Sequence, residues 1–514
     1  MHKCQVIIVL VLSLVSLNNG ARILAHIPTP SYSHQVVFRP LWRELSLRGH
    51  QVTLLTTNPI NDATLTNLTE INLDFTYEQV PELISKLKET SGIASLQIYS
   101  DHFIAHVESQ LKHSKVQKLF KEHFDLVIAE HLTSIPFAFA KLFQCPSVAI
   151  SSLAVVEPVY EDFGVPTHPI LYPNVILPFI KTTTLSERIT SVIFDCALKL
   201  FIYFYNTPQE DLVIKKYFGE DFPSSSELAK NISLLLDNTE PMLDRIRPLV
   251  PVVIQIGGIH RVAPKPLPKE LKTVLDSAKN GFIYFSLGSN VRSADLPNAL
   301  RQAIIETFAE LPYSVLWKYE LDSFPDKPKN VVILKWVPQT DVLRHPNIKL
   351  FITQGGLQSL EEAFNAKVPM IGIPYIADQP KNVRKIVENG IGLSLDHKTL
   401  TKEQFKKAII EVITNPKYLS TITRLSDLAD DQPMTSLERA VWWIEYVIRH
   451  NGTTHLRSPA LDIPWYQYYL LDVIGVLLIA LGLILFLSIF ILRGFMKIIK
   501  FMFGKIRVPK EKTQ

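Results

Sequence analysis

The sequence predicts two doubly wound α/β domains in tandem, followed by a single transmembrane helix. Two series of short apolar runs alternate with segments of helical apolar spacing, which is typical of strands and helices that build parallel sheets. The proline-rich piece "APKPLPKE" (263–270) separates the two series and is expected to form an extended linker. With 514 residues, the chain has room for two or three domains.

Residues 1–20 are expected to be a secretory signal peptide. A short basic start precedes an apolar run from Val6 to Leu17, and "NNGA" follows, which predicts cleavage near Gly20 or Ala21. The alternative is an N-terminal anchor, but the apolar run is short for a membrane span.

The first domain is expected over residues 21–255 and opens with a βαβ unit, which implies a parallel sheet with a right-handed crossover. Its predicted strands and first helix are "ARILAHIP" (21–28), a helix in "HQVVFRPLWRELSLRGH" (34–50), "QVTLLTT" (51–57), "FDLVIAE" (124–130) and "CPSVAIS" (145–151). Residues 152–230 are interpreted as aromatic-rich helices and loops that cover a cleft.

The second domain is expected over residues 256–450, after a strand in "PVVIQIGGI" (251–259). Its predicted strands are "GFIYFSLGS" (281–289), "YSVLWKY" (313–319), "NVVILKWVP" (330–338), "IKLFITQGG" (348–356) and "VPMIGIP" (368–374), and its helices lie around 297–311, 357–366, 402–415 and 434–450. Ligands bind at the carboxyl ends of the strands in such sheets, so two facing domains create a natural cleft.

The chain is predicted to end in a membrane anchor. After a juxtamembrane segment (451–472), the uncharged run 473–492 would rise about 30 Å as a helix, which is enough to cross a bilayer. The aromatic "WYQYY" (465–469) suits a membrane interface, and the basic tail 493–514 is expected to face the cytoplasm. A buried core helix is the alternative, which the absence of charge and these flanks disfavour.

The composition excludes several classes of protein. Hydrophobic residues make up 47% and charged residues 20%, so the chain is neither disordered nor highly charged. The formal net charge is +4, but residues 493–514 hold seven basic residues and one acidic residue, which leaves the rest of the chain at −2. No basic surplus therefore suggests a nucleic-acid partner.

Three sequons support a lumenal or extracellular body and predict N-glycosylation at Asn67, Asn231 and Asn451. Cys145 and Cys196 remain after loss of the signal peptide, and the sequence leaves open whether they pair. No D-x-D, H-E-x-x-H or clustered ligand set is found, so neither a metal nor another cofactor is expected.

The stretch "FITQGGLQSLEEAF" (351–364) predicts a strand, a glycine turn and a helix. Gly355 and Gly356 would let the backbone approach a ligand, and the N–H groups at the start of the helix would suit a diphosphate. Glu362, about one and a half turns into the helix, could accept hydrogen bonds from ribose hydroxyls. The alternative is an ordinary strand–turn–helix with a packing glycine.

The longer run 351–379 resembles the signature of the UDP-glycosyltransferases. The matching positions are the double glycine, Glu362, Pro369, Pro374 and the closing Asp378-Gln379 pair. The resemblance also covers "SH" (33–34), "GGIH" (257–260), "FSLGS" (285–289), "WVPQ" (336–339), the signal peptide and the terminal span. The chain looks like the animal membrane-bound branch, and Gln354 with "GLQS" looks most like its insect members.

The resemblance implies a GT-B fold, in which the first domain holds the acceptor and the second holds the UDP-sugar. Carried over by position, the implied donor-site roles are Trp336 stacking on uracil, Gln339 bonding the nucleoside, Ser289, Gly355 and Gly356 holding phosphates, Glu362 binding ribose, and Asp378 and Gln379 binding sugar hydroxyls. Gln354 stands where many members have His, and its amide can donate to a phosphate oxygen without charge. Gln358 replaces a common Asn and also keeps a donor.

The resemblance further implies that His34 is the general base and that a carboxylate orients it. Neutral imidazole suits this role because its pKa lies near neutrality. The family's carboxylate position falls on Glu130, where an Asp is usual, so a longer side chain must reach the ring. The alternatives are a surface histidine and a solvated glutamate at the end of a strand.

The sequence thus predicts an inverting UDP-glycosyltransferase of the endoplasmic reticulum membrane with a lumenal body and single-pass type I topology. The expected substrates are UDP-glucose first, or UDP-glucuronate second because the motif shows no clear cationic partner for a carboxylate, and small lipophilic acceptors with a hydroxyl group, as in detoxification. The alternatives are a non-catalytic membrane-bound binding protein of the same fold and a transferase that builds glycans or lipid-linked sugars. A homo-oligomer is left open.

Overall fold

The computed structural model describes residues 20–504 except positions 89, 91, 92, 175, 178, 180, 290 and 377. The predicted signal peptide up to residue 19 and the tail from residue 505 lie outside the described residues. The chain forms two compact units, one that ends at Arg457 and one that begins at Ser458.

The first sheet has seven parallel strands in the order β3-β2-β1-β4-β5-β6-β7. The strands are β1 (Arg22–His26), β2 (Gln51–Thr56), β3 (Leu68–Asn72), β4 (Leu126–Glu130), β5 (Ser147–Ile150), β6 (Leu234–Asp237) and β7 (Val253–Gln255). Every residue of β4, β5 and β6 is buried, as expected for strands of a parallel sheet that is covered on both faces.

Ten helices lie between β1 and β6 within the described residues. They are α1 (Tyr32–Val36), α2 (Arg39–Leu47), α3 (Val80–Lys88), α4 (Ile93–Leu111), α5 (Ser114–Leu119), α6 (Ala138–Phe143), α7 (Glu157–Asp162), α8 (Leu185–Phe201), α9 (Thr207–Phe218) and α10 (Ser225–Lys230). A one-turn π-helix, Ile202–Asn206, joins α8 to α9.

The helix predicted within residues 34–50 is two helices, α1 and α2. Pro40 lies in the first turn of α2, where its missing N–H costs nothing, but a continuous helix would place that proline in its interior. The break leaves His34 inside the short helix α1 rather than in an open loop.

The second sheet has six parallel strands in the order β10-β9-β8-β11-β12-β13. The strands are β8 (Phe282–Ser286), β9 (Ser314–Lys318), β10 (Val331–Leu334), β11 (Ile348–Thr353), β12 (Met370–Gly372) and β13 (Gly392–Ser394). Its helices are α11 (Lys269–Asp276), α12 (Asn298–Ala309), α13 (Gln339–Leu343), α14 (Leu357–Asn365), α15 (Gln379–Glu388), α16 (Lys402–Thr414) and α17 (Pro416–Asp430).

Helix α18 (Ser436–His450) does not pack with the second sheet, although the sequence analysis assigned it to that domain. Its buried face belongs to the core of the first sheet. That face consists of Ala440, Val441, Ile444 and Val447. Their helical spacing gives one apolar stripe, which explains the packing but does not by itself say which sheet it covers.

The second unit contains α19 (Trp465–Tyr468) and α20 (Leu471–Gly504). Helix α20 is long and apolar enough to cross a membrane and extends beyond the predicted span 473–492. The segment Leu185–Phe218 in the first unit passes the same test of length and composition, which the sequence analysis did not anticipate.

Candidate active site

Both sheets reverse their strand order at an inner pair of strands, and such switch points are where ligands bind in open α/β sheets. In the first sheet the pair is β1 and β4, which are neighbours in register. His34 follows β1 in α1, and Glu130 is the last residue of β4. The topology therefore brings these two predicted side chains to one edge of the sheet.

His34 and Glu130 are in direct contact. His34 Nδ1 lies 2.6 Å from Glu130 Oε1, and both side chains are buried. The Thr29 hydroxyl donates to Glu130 Oε2 at 2.6 Å. The Ser152 hydroxyl donates to Glu130 Oε1 and lies 2.6 Å from His34 Nδ1. Both carboxylate oxygens are therefore held, and Nδ1 of the histidine is occupied.

The pair shifts both pKa values in opposite directions. Burial alone would lower the pKa of His34, but the charge and hydrogen bond of Glu130 more than offset it, so the pKa is raised from its usual value. Burial alone would raise the pKa of Glu130, and the contacts with His34, Ser152 and Thr29 lower it instead.

Gln35 fixes the chain segment that carries His34. Its amide donates to Ile27 O at 3.0 Å and to Thr29 O at 2.7 Å, and it accepts from the Thr56 hydroxyl at 2.7 Å. These bonds join the start of α1 to the ends of β1 and β2. Buried hydrogen bonds of Gln35 therefore fix the segment that carries the imidazole, which does not lie on a surface loop.

A cleft of about 440 Å³ opens beside His34. It is lined by nine of the ten predicted donor-site residues, namely Ser289, Trp336, Gln339, Gln354, Gly356, Gln358, Glu362, Asp378 and Gln379. The tenth, Gly355, lies behind the wall, where its φ of +88° and the closeness of Val383 Cγ2 leave no room for a side chain. Residues chosen from two separate domains thus border one space.

Trp336 lines the cleft, is 62% exposed and touches Tyr32 edge-on at 5.8 Å between ring centroids. Gln339 Nε2 donates to Glu362 Oε2 at 2.7 Å and to the Ser359 hydroxyl at 3.0 Å. Burial raises the pKa of Glu362, although the bond from Gln339 opposes the rise. A flat exposed ring and a hydrogen-bonded carboxylate suit a base and a ribose.

The glycine turns form the next part of the wall. Gly288 has a φ of +72°, and the Gln354 amide occupies the space where a side chain on Gly288 would stand. Gln354 is buried and accepts a 3.1 Å hydrogen bond from the Thr353 hydroxyl. Helix α14 begins immediately after Gly356, and its first residues line the cleft, so its free N–H groups lie beside this space.

Asp378 and Gln379 stand at the start of α15. Gln379 Oε1 accepts from Tyr375 N at 2.9 Å and from Ile376 N at 3.0 Å. Asp378 occupies the N-cap position but caps no backbone N–H with its side chain, which instead accepts from Asn382 Nδ2 at 2.6 Å. An acid and an amide side by side offer acceptors and donors to a polyol.

A comparison with known protein families shows which family the chain belongs to. Residues 23–507 match the family described as UDP-glucoronosyl and UDP-glucosyl transferase. The chain belongs to this family.

Other UDP-glycosyltransferases align over nearly the whole chain. UDP-glucosyltransferase 2 of Dactylopius coccus is 37% identical over 478 residues, which cover 91% of each chain. The human UDP-glucuronosyltransferase 2B7 is 31% identical and covers 89% of this chain and 90% of its own. A solved structure, the glycotransferase of kitacinnamycin, has a TM-score of 0.58 at 20% identity and covers 84% of this chain and 99% of its own. The predicted GT-B fold is confirmed.

Four residues of the site in this UDP-glycosyltransferase were not predicted from the sequence, namely Thr29, Ser152, Tyr284 and Lys318. The first two contact Glu130, and the last two line the cleft. One signal could have found Thr29 and Ser152, because both follow strands that neighbour β4. Polar residues just beyond adjacent parallel strands meet at one edge of the sheet.

The predicted modification sites are spread over the first unit. Asn231 and Asn451 are exposed, while Asn67 is half-buried and its amide donates to Ser46 O at 3.1 Å. Cys145 and Cys196 are both free thiols. Within the part of the chain that the structure describes, no group of three or more metal-ligating side chains occurs.

Proposed function

We propose that this UDP-glycosyltransferase transfers glucose from UDP-glucose to a hydroxyl group of small lipophilic molecules, with inversion at the anomeric carbon. The observation that carries the proposal is the buried His34–Glu130 pair at the edge of the cleft that the donor-site residues line. A base and a nucleotide-sugar site must border the same space for a direct displacement to occur.

In this proposal, His34 removes the proton of the acceptor hydroxyl through Nε2. Its Nδ1 bonds to Glu130, which fixes the tautomer and stabilises the imidazolium that forms. A bond forms between the acceptor oxygen and the anomeric carbon, and the bond from that carbon to the diphosphate oxygen breaks. UDP leaves with the electron pair, and the configuration is inverted because the attack is a single displacement.

The donor-site roles are assigned from the chemistry of the side chains that line the cleft. Trp336 stacks on uracil, Gln339 and Glu362 hold the nucleoside, and Asp378 and Gln379 bind sugar hydroxyls. The turn at Gly355-Gly356, with the first N–H groups of α14 and the amides of Gln354 and Gln358, stabilises the diphosphate as charge develops on it.

Glucose is preferred to glucuronate for two reasons. A sugar carboxylate would meet the like charge of Asp378, which borders the cleft beside Gln379. The Dactylopius relative is named a glucosyltransferase, whereas the human relative, which has the lower identity, is named a glucuronosyltransferase.

The acceptor and the location are proposed from the rest of the chain. Apolar side chains in 171–204, among them Leu171, Ile176 and Phe204, are exposed and suit a lipophilic acceptor class. Helix α20 would anchor the enzyme in the endoplasmic reticulum membrane, with the sequons on the lumenal side and conjugation for detoxification as its role.

Microsomes that contain the full chain, incubated with radiolabelled UDP-glucose or UDP-glucuronate and a panel of phenols, test the proposal. Wild type should use UDP-glucose best, and His34→Ala should lower kcat/KM by about 10²–10⁴-fold, the usual contribution of a general base. His123→Ala is the control, because that histidine is exposed and pairs with Asp125 away from the cleft. Equal transfer by wild type and His34→Ala would contradict the base assignment, and no transfer with either donor would contradict the function.

A further inference from the structure

Lys265 and Lys318 are the lysine or arginine residues among the described residues that line the cleft. Lys265 is exposed on the linker between the two sheets. Lys318 ends β9 and is only 9% exposed, although lysine is almost never buried without a partner. The contacts of Lys318 must therefore explain why this lysine is buried.

Lys318 holds the loop that follows β8. Its Nζ donates to Gly288 O at 2.8 Å and to Glu320 Oε1 at 3.0 Å. The other oxygen of Glu320 accepts from Ala294 N at 3.0 Å. The Lys318–Glu320 pair thus binds both Gly288 and Ala294.

The neighbour of Lys318 reinforces the same loop. Trp317 is fully buried, and its Nε1 donates to the Ser293 hydroxyl at 3.0 Å. Trp317 and Lys318 at the end of β9, together with Glu320 just beyond it, therefore hold the loop that carries Ser289. Gly288 also lies against the amide of Gln354, so the loop touches the turn that precedes α14.

The groups around this loop share one chemistry. The walls near Gly288 present hydroxyls from Ser286 and Ser289, the amide of Gln354 and the start of α14. All of these can donate hydrogen bonds, but none of them has a full positive charge. An ammonium group has three N–H bonds, and the contacts among the described residues use two of those of Lys318.

We propose that Lys318 is a positioning residue for the diphosphate of the donor. It fixes the Gly288–Ser289 turn through the Gly288 carbonyl, and it directs its remaining N–H and part of its charge toward the phosphate oxygens. Glu320 offsets some of the charge and keeps the ammonium in place. The inference rests on the proposed donor site and adds to it a cation on a different strand from the signature run 351–379.

The test compares ligands that differ only in phosphate. Purified full-length enzyme in detergent is titrated with UDP, UMP and uridine for wild type, Lys318→Met and Lys318→Arg. Lys327→Met is the matched control, because Lys327 also donates to a backbone carbonyl, Val331 O at 2.7 Å, but does not line the cleft. Thermal unfolding is measured in parallel.

Lys318→Met should weaken UDP binding at least tenfold, which is about 1.4 kcal/mol and agrees with the loss of a hydrogen bond to a charged group. Uridine binding should change by less than about twofold, UMP should lie between the two, and Lys318→Arg should stay closer to wild type. Equal weakening of UDP and uridine, unchanged UDP binding, or equal losses in the two Lys318 variants would overturn the inference. A wild-type enzyme that binds no UDP would contradict the proposed function itself.

Discussion

At the scale of single residues, Glu130 shows how a longer carboxylate can take the place of an aspartate beside a histidine. One of its oxygens contacts His34 and Ser152, and the other accepts from Thr29. A flexible side chain that is held at both oxygens loses little precision from one additional methylene group. We infer that Ser152 and Thr29 compensate for the longer reach.

The pKa of His34 gives a prediction for the pH dependence of transfer. The base must be neutral to accept a proton, and its pKa is raised above the ordinary 6.5, so kcat/KM should fall as the pH decreases through a value above 6.5. Glu130→Gln removes the charge that raises the pKa, so burial should then move this acidic limb to lower pH while the maximal rate falls.

Profiles of kcat/KM against pH for wild type and Glu130→Gln measure the effect. Glu122→Gln is a suitable control, because Glu122 is exposed, pairs with Arg22 and does not line the cleft. An acidic limb that stays at the same pH in Glu130→Gln would show that Glu130 does not set the protonation of the base.

The sequence indicated most of these residues because they belong to motifs, and it missed those that do not. His34, Glu362 and Asp378 stand within recognisable runs of letters. Ser152 and Thr29 act only through neighbouring strands, and their partners are more than 20 positions away in the chain. Their roles depend on sheet order, which a linear pattern does not contain.

At the scale of elements, the turn between β11 and α14 predicts a specific loss of stability. Gly355→Ala would force a side chain into the left-handed region and against Val383 Cγ2, so we expect unfolding free energy to drop by about 1–3 kcal/mol, the usual cost of such strain. Gly390→Ala is the matched control, because its φ is +67° but its nearest neighbour, Thr421 Cγ2, is 3.9 Å away.

Chemical denaturation of both variants separates the cost of the left-handed backbone from the cost of the contact with Val383. Gly390→Ala carries the backbone cost alone, so Gly355→Ala should be the less stable of the two and should also bind UDP more weakly. Equal stability of the two variants would mean that the Val383 side chain moves aside without a cost in unfolding free energy.

Strand length alone did not decide which strands could be predicted from the sequence. The strands β3, β6 and β13 have five, four and three residues and were not identified. The strands β7 and β12 have three residues each but were identified, because each lies within a longer predicted stretch, 251–259 and 368–374. The division of the first helix at Pro40 is visible in the sequence, but helical apolar spacing continues across it.

At the scale of the whole molecule, the described cores predict that the first unit folds without the second. All three hydrophobic clusters lie before Arg457. A chain that ends at Arg457, expressed with the predicted signal peptide, should be secreted and should bind UDP within about threefold of the detergent-solubilised full chain. If the truncated chain aggregates inside the cell while the full chain, expressed in parallel, folds, the first unit does not fold without the second.

The packing of α18 has a further consequence for how the two sheets are joined. Because α18 returns to the core of the first sheet, the whole second sheet is an insertion between β7 and α18 of one parent domain. The chain enters the insertion after Gly257 and leaves it before Ser436, and the Ser436 hydroxyl donates to Gly257 O at 2.7 Å. Arg261 and Asp430 form an ion pair at 2.6 Å beside this point.

The two chain segments that connect the insertion to the parent domain thus lie side by side, and a hydrogen bond joins them. Two adjacent connections restrict an inserted lobe to a hinge rotation about one axis. A single linker would also permit the lobe to rotate about the linker itself. If the cleft opens to exchange UDP for a new donor, the motion should run about the Gly257–Ser436 contact, with His34 remaining on the fixed lobe and Trp336 on the moving one.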